Sequence, residues 1–263
     1  MIYKSIKHKT AIITGASEGI GRAIAENLAK NGAKILLISR DEKNLLKLKS
    51  YLKKKYSSKV EILAGDVKDI TLSKKIIDNT KSFFGDCDIL INNAGGPPPG
   101  SFLDHSEEIW NEYFNQNLLS IIRLTKLVVP QMKKNKWGRI INMASVSVKE
   151  PLSYLAMSNS IRAAVTTWAK TLSNDLGPYN ITVNNILTGY FNTERINEIN
   201  SEKAKKLNIK IEKVYDAMKD LVPLKRLGDP KEFAYLLTFL ASENSAYING
   251  ANIPIDGGLI KSL

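Results

Sequence analysis

Gly15, Gly19 and Gly21 stand between the apolar run Ala11-Ile12-Ile13 and a helical pattern that opens at Ile20. Glycine admits positive φ angles and lets a ligand approach the main chain closely, while the start of a helix offers unpaired N–H groups and a partial positive charge. That placement suits a pyrophosphate, with Thr14, Ser17 and Ile20 completing the turn. The next apolar run, Ile35-Leu36-Leu37-Ile38, ends in Ser39-Arg40-Asp41. At this strand end an acid binds the ribose 2′-hydroxyl of NAD, and a base accommodates the 2′-phosphate of NADP. Arg40, with Ser39 adding a hydrogen bond, favours NADP over NAD. The acids Asp41 and Glu18 argue the other way.

These residues must be held by a scaffold, and its periodicity is legible. Strands are expected near 10–14, 34–39, 60–64, 88–92, 139–144, 181–187 and 253–256, separated by helical patterns such as Ile20, Ile24 and Leu28. The first strands are apolar throughout rather than alternating, as burial on both faces requires. The expectation is a single α/β domain spanning 1–263, a Rossmann fold with a doubly wound parallel sheet and helices on both faces. Long helices are expected near 106–134 and 152–176, and another near Pro230. The polar stretch 192–221, rich in Lys, Glu and Asn, follows a late strand and reads as a substrate lid beside the ligand crevice.

Composition narrows the function classes. Lys and Arg number 38 against 26 acids, a formal charge of +12, yet the lysines of 43–55 alternate with Leu45, Leu48 and Leu52 as on a solvated helix face. No basic patch is interleaved with aromatics, so no nucleic-acid partner is expected. The one cysteine, Cys87, allows no intrachain disulfide and reads as structural. A charged start without an apolar signal region, and no apolar run of about 18 residues, lead to the expectation of a cytoplasmic protein without a membrane partner. No metal site is expected.

The spacing Thr14-Gly-x-x-x-Gly-x-Gly resembles the short-chain dehydrogenase/reductase family, and the likeness continues along the chain. Gly65-Asp66-Val67 resembles the adenine-contacting segment, Asn92-Asn93-Ala94-Gly95 the motif ending the fourth strand, and Ile253 to Gly258 the C-terminal strand and its Asp-Gly-Gly ending. The resemblance implies hydride transfer between a nicotinamide and a carbonyl or secondary alcohol. It makes Asn117, Ser145 and the pair at 158 and 162 catalytic, with Gly189 and Thr193 near the nicotinamide. It also implies self-association as a homotetramer or dimer through the long helices, with Val128, Val129 and Trp168 as candidate interface residues.

The family's Tyr-x-x-x-Lys is here Ser158-x-x-x-Arg162. Arginine still offers positive charge and ribose hydrogen bonds but, with a pKa above about 12, relays no proton. A serine hydroxyl is a far poorer acid than a phenol of pKa about 10. Tyr154, one helical turn before Ser158 if Pro151 starts the helix, is either the candidate substitute acid or a half-buried wall of the pocket. Gly96-Pro97-Pro98-Pro99-Gly100 together with this altered pair resembles a 3-oxoacyl-(acyl-carrier-protein) reductase-like subgroup, which makes an acyl thioester the leading substrate. The competing reading is a non-catalytic NADP-binding sensor or scaffold.

Overall fold

Consecutive apolar residues in the central strands send their side chains alternately to two layers. Ala11 and Ile13 of β1 (Thr10–Thr14) enter one core cluster and Ile12 the other; in β2 (Lys34–Ser39) Ile35 and Leu37 part in the same way from Leu36 and Ile38. The computed structural model, which describes residues 3–262, joins these strands to β3 (Val60–Ala64), β4 (Ile89–Asn92), β5 (Gly138–Ser145), β6 (Ile181–Thr188) and β7 (Asn252–Ile255). All pairings are parallel, in the order β3-β2-β1-β4-β5-β6-β7. The order reverses between β1 and β4, the switch point at which ligands bind outside the carboxyl ends of the strands.

The helices are α1 (Gly19–Lys30), α2 (Glu42–Tyr56), α3 (Leu72–Phe84), α4 (Glu107–Phe114), α5 (Ser120–Asn135), α6 (Ala156–Leu176), α7 (Glu194–Leu207), α8 (Ile211–Leu221) and α9 (Pro230–Leu240). Buried residues of α1, α2 and α9 fill one face of the sheet, and those of α3, α5 and α6 the other. Asp229 caps α9 in a capping box with Glu232, and Pro230 takes its first turn, where no N–H is needed. Cys87 is buried and its thiol is pushed up by desolvation, as a structural cysteine requires. Among the described residues no helix is long and apolar enough to cross a membrane.

Polar cross-links tie the strands beneath the crevice. Asn92, Asn142, Asn185 and Asn252 stand in register on β4 to β7. Each amide donates to the next, at 2.8, 3.0 and 2.8 Å. Each carboxamide thus satisfies a neighbour that would otherwise be buried without a partner.

Two expectations are corrected. The helix expected from residue 152 begins at Ala156, because Leu155 pairs with Gly100 in a parallel bridge and holds Tyr154 in the turn ahead of it. Val128 is not an interface residue: it is 2% exposed and part of the core, whereas Phe114, Leu119 and Leu127 are the large apolar side chains that α4, α5 and their junction expose. The polar stretch 192–221 folds as the helix pair α7 and α8.

Candidate active site

The turn after β1 is shaped by two glycines. Gly15 has φ +59°, and Gly21 packs so closely on the Gly15 carbonyl that a Cβ there would overlap it. Asn93 braces the turn: its side-chain amide donates to Gly15 O at 2.9 Å, and its backbone N–H donates to Thr14 Oγ1 at 2.9 Å. Thr14 Oγ1 in turn donates to Asn93 O at 2.8 Å. Thr14 is therefore a brace behind the turn. Among the described residues no side chain caps the N-terminus of α1, which leaves its first N–H groups to an anion.

From this turn runs a cleft of about 360 Å³. Gly15, Ser17, Gly19, Ile20, Gly21, Ser39, Arg40, Asp66, Val67, Asn93, Ala94, Gly95, Arg162, Gly189 and Thr193 all line it. Every cofactor residue expected from sequence except Thr14 is on that wall. Ser39 Oγ donates to Ser17 Oγ at 2.9 Å beside Arg40. Asp41 is spent elsewhere: its carboxylate caps α2, accepting from the Asn44 main chain and side chain at 2.9 and 2.7 Å. Glu18 does line the cleft, and its carboxyl is raised above the usual range by burial and by Glu194, Glu198 and Asp41, with Arg40 opposing. Asp66 accepts from Lys68 N at 2.9 Å, and Lys68 Nζ lies 3.6 Å from its other oxygen.

Arg162 of α6 is only 7% exposed. Its guanidinium donates to the main-chain carbonyls of Met143 and Ala94, and no carboxylate pairs with it among the described residues. Burial lowers its pKa to about 10, which still leaves a cation at neutral pH. Asn117 sits in a π-helical turn, Asn115–Leu119, where the extra residue re-aims the side chain. Its Nδ2 donates to Gly95 O at 3.0 Å, while its Oδ1 is buried with no protein donor among the described residues. Ser145 Oγ accepts from Ser147 N at 3.1 Å, leaving its own hydrogen to donate. Thr193 likewise accepts from Ile196 N at 3.3 Å and caps α7.

Ser158 lies in the first turn of α6 and is half-buried. Tyr154 is 51% exposed and off the helix, so the expected shared face with Ser158 does not form; the carbonyl of Tyr154 accepts from Gly100 N at 2.7 Å instead. The sequence reading missed Gln116, Phe191 and Arg195, which also line the cleft. Gln116 donates to the same Gly95 carbonyl as Asn117, at 2.8 Å. Only its adjacency to Asn117 signalled it.

The cradle fits a dinucleotide: Arg40, Arg162 and Arg195 line it together with the glycine turn and the start of α1, which no side chain caps among the described residues. Fold and cradle together define a Rossmann dinucleotide-binding protein. A family sequence model described as Enoyl-(Acyl carrier protein) reductase matches residues 15–260. NADPH-dependent reductase BacG of Bacillus subtilis is 35% identical over 97% of this chain and 99% of its own length. The 3-oxoacyl-(acyl-carrier-protein) reductase FabG of Vibrio cholerae is 33% identical over 97% and 98%. The crystal structure of L-sorbose reductase from Gluconobacter frateurii, complexed with NADPH and L-sorbose, superposes with a TM-score of 0.95 at 33% identity, covering all of both chains. The chain belongs to the short-chain dehydrogenase/reductase family.

Proposed function

We propose that the protein is an NADP-dependent oxidoreductase that reduces a carbonyl to a secondary alcohol. The observation that carries this reading is the single cleft whose wall holds the glycine turn, Arg40, Arg162 and Gly189 together. The similarity to BacG, a reductase named as NADPH-dependent, and to L-sorbose reductase with its bound NADPH supports the same cofactor. When bound, the nicotinamide supplies hydride to the carbonyl carbon. Gly15, Gly19, Ile20 and Gly21 hold the pyrophosphate, Ser39 and Arg40 the 2′-phosphate, and Asp66 and Val67 the adenine. Asn93, Ala94 and Gly95 flank the dinucleotide, Arg162 holds the nicotinamide ribose, and Gly189 and Thr193 face the carboxamide.

The protein's own groups manage the carbonyl oxygen. Ser145, with its Oγ lone pair engaged by Ser147 N, donates its hydrogen to that oxygen, and Ser158 assists. Tyr154 gives the proton, being the phenol on the element that leads into α6. Asn117 Oδ1 anchors the water through which that proton is replaced. A 3-oxoacyl thioester is the leading substrate, in keeping with the FabG relative. Helices α7 and α8 form the substrate lid. The chain acts in the cytoplasm as a homotetramer or dimer, with Phe114, Leu119 and Leu127 as the exposed apolar surface available to the second copy; light scattering that returns a monomer overturns the assembly.

The activity is tested by following NADPH oxidation with a panel of ketones, sugars and 3-oxoacyl thioesters. Turnover of at least one is expected, and a chain that binds NADPH tightly yet reduces none supports the non-catalytic reading. Because Asp41 is occupied as a cap, Arg40 decides the phosphate preference. Fluorescence titration is expected to show NADPH bound at least tenfold tighter than NADH, about 1.4 kcal/mol, and Arg40→Ala to abolish that difference. Equal affinities in the parent protein would hand the pocket to Glu18.

A further inference from the structure

The start of α7 packs on the glycine turn. Gly19 has φ +50°, and a Cβ built on it would lie 3.4 Å from Thr193 Cγ2 and 3.6 Å from Glu194 Oε2. The starts of α1 and α7 therefore meet, and both belong to one cleft: Glu194, Arg195 and Ile196 line it together with Gly15, Gly19 and Gly21. Two carboxylates flank Gly19, Glu18 as its chain neighbour and Glu194 across the contact, and both are on the cleft wall. The turn from Gly15 to Gly21 contains no Lys or Arg. Each phosphate of a dinucleotide carries a negative charge, so a pyrophosphate seated there meets two acids and needs a cation from another element.

Among the described residues the cations on the cleft wall are Arg40, Arg162 and Arg195. Arg40 is taken by the 2′-phosphate, and Arg162 spends hydrogen bonds on the carbonyls of Met143 and Ala94. Arg195 is the second residue of α7, and its guanidinium makes one ion pair among the described residues, Nη1 to Glu198 Oε2 at 3.4 Å, with both side chains exposed. An exposed pair of this kind contributes little to stability, and a cation in the first turn opposes the helix dipole. Neither effect explains an arginine at this position as a support for α7. We propose that Arg195 is a cofactor-binding residue: its guanidinium exchanges Glu198 for the pyrophosphate of the dinucleotide and draws the start of α7 onto the glycine turn. This role rests on the reading of the cleft as the NADP site. The planar fork of N–H donors matches phosphate oxygens, and its charge offsets that of Glu18 and Glu194 beside Gly19.

Arg195→Ala is expected to weaken NADPH and NADH alike, by about tenfold each, the scale of one lost hydrogen bond to a charged group, because both carry the same pyrophosphate. ADP, which has the pyrophosphate but neither the nicotinamide nor the 2′-phosphate, should lose affinity by the same factor. Fluorescence titration of the two cofactors, with ADP as competitor, reads all three without turnover. Hydrogen exchange follows the helix itself: saturating NADPH is expected to slow the α7 amides in the parent protein and not in Arg195→Ala. Unchanged affinities in Arg195→Ala, with a parent protein that binds both cofactors, overturn the inference and leave the NADP reading intact. A loss confined to NADPH overturns it as well, by moving Arg195 to the 2′-phosphate, and so does equal slowing of α7 in the two proteins. A parent protein that binds neither cofactor overturns the NADP reading and this role with it.

Discussion

Tyr154→Phe is expected to lower kcat for carbonyl reduction by about 100-fold or more while leaving NADPH affinity unchanged, because a positioned general acid contributes on that scale. The argument is one of elimination followed by geometry. The alkoxide formed by hydride addition needs a proton. Ser158 and Ser145 carry hydroxyls far less acidic than a phenol, and Arg162, even with its pKa lowered to about 10, is still held charged by its hydrogen bonds to two carbonyls. Tyr154 remains, fixed through its own main chain to Gly100. The variant keeps the ring, so the Gly100 to Leu155 bridge is undisturbed and stability should stay within about 0.5 kcal/mol, as for other surface changes. Steady-state rates with NADPH saturating check it. Full activity in Tyr154→Phe would transfer the acid's role to Ser158 or a water held by Asn117.

What the sequence announced and what it concealed divide along a physical line. Strands buried on both faces announce themselves by local composition, and all seven lie within a residue of where the apolar runs put them. The glycine turn is equally legible, because Gly15 and Gly21 are demanded by a φ angle and a close contact between near neighbours. The start of α6 was misread for the opposite reason. Pro151 is a good local signal for a helix start, but the chain there pairs with Gly100, a partner far away in sequence, and that pairing postpones the helix to Ala156. Residues such as Gln116 and Arg195 carry no spacing signal, since each reaches its site only through tertiary structure. Val128 was misassigned because a continuous apolar run on α5 does not say which of its members faces the sheet. Asp41 could be read only from the structure: its type argued for NAD, and its use as a cap removes it from the ribose.

Arg162→Met is expected to weaken NADPH binding by about 100-fold and to lower the rate with it, while changing stability by less than about 2 kcal/mol. In the parent protein this guanidinium is buried with no carboxylate partner among the described residues, and burial alone lowers its pKa to about 10. The sign follows: the charged form is disfavoured in the folded state, so at neutral pH, below both the ordinary and the lowered value, the fold carries the cost of burying it, and that cost fades as pH rises above about 10. Against it stand the hydrogen bonds to Met143 O and Ala94 O, whose loss leaves one buried and one partly buried carbonyl short of a donor, at most about 1–3 kcal/mol each. Methionine fills the space, removes the buried charge and forfeits those bonds, so the opposing stability terms largely offset each other. The ribose of the cofactor has no such compensation, because the guanidinium that donates to Ala94 O on the cleft wall is that of Arg162. A buried, unpaired cation is retained against stability where a ligand requires it. Arg162→Lys is the discriminating control: it keeps the charge, and its NADPH affinity should stay within about tenfold of the parent protein's. Fluorescence titration of NADPH together with urea denaturation separates the two effects. Unchanged affinity in Arg162→Met with a large loss of stability would make Arg162 a strut between β5 and the β4 loop and remove it from the cofactor site.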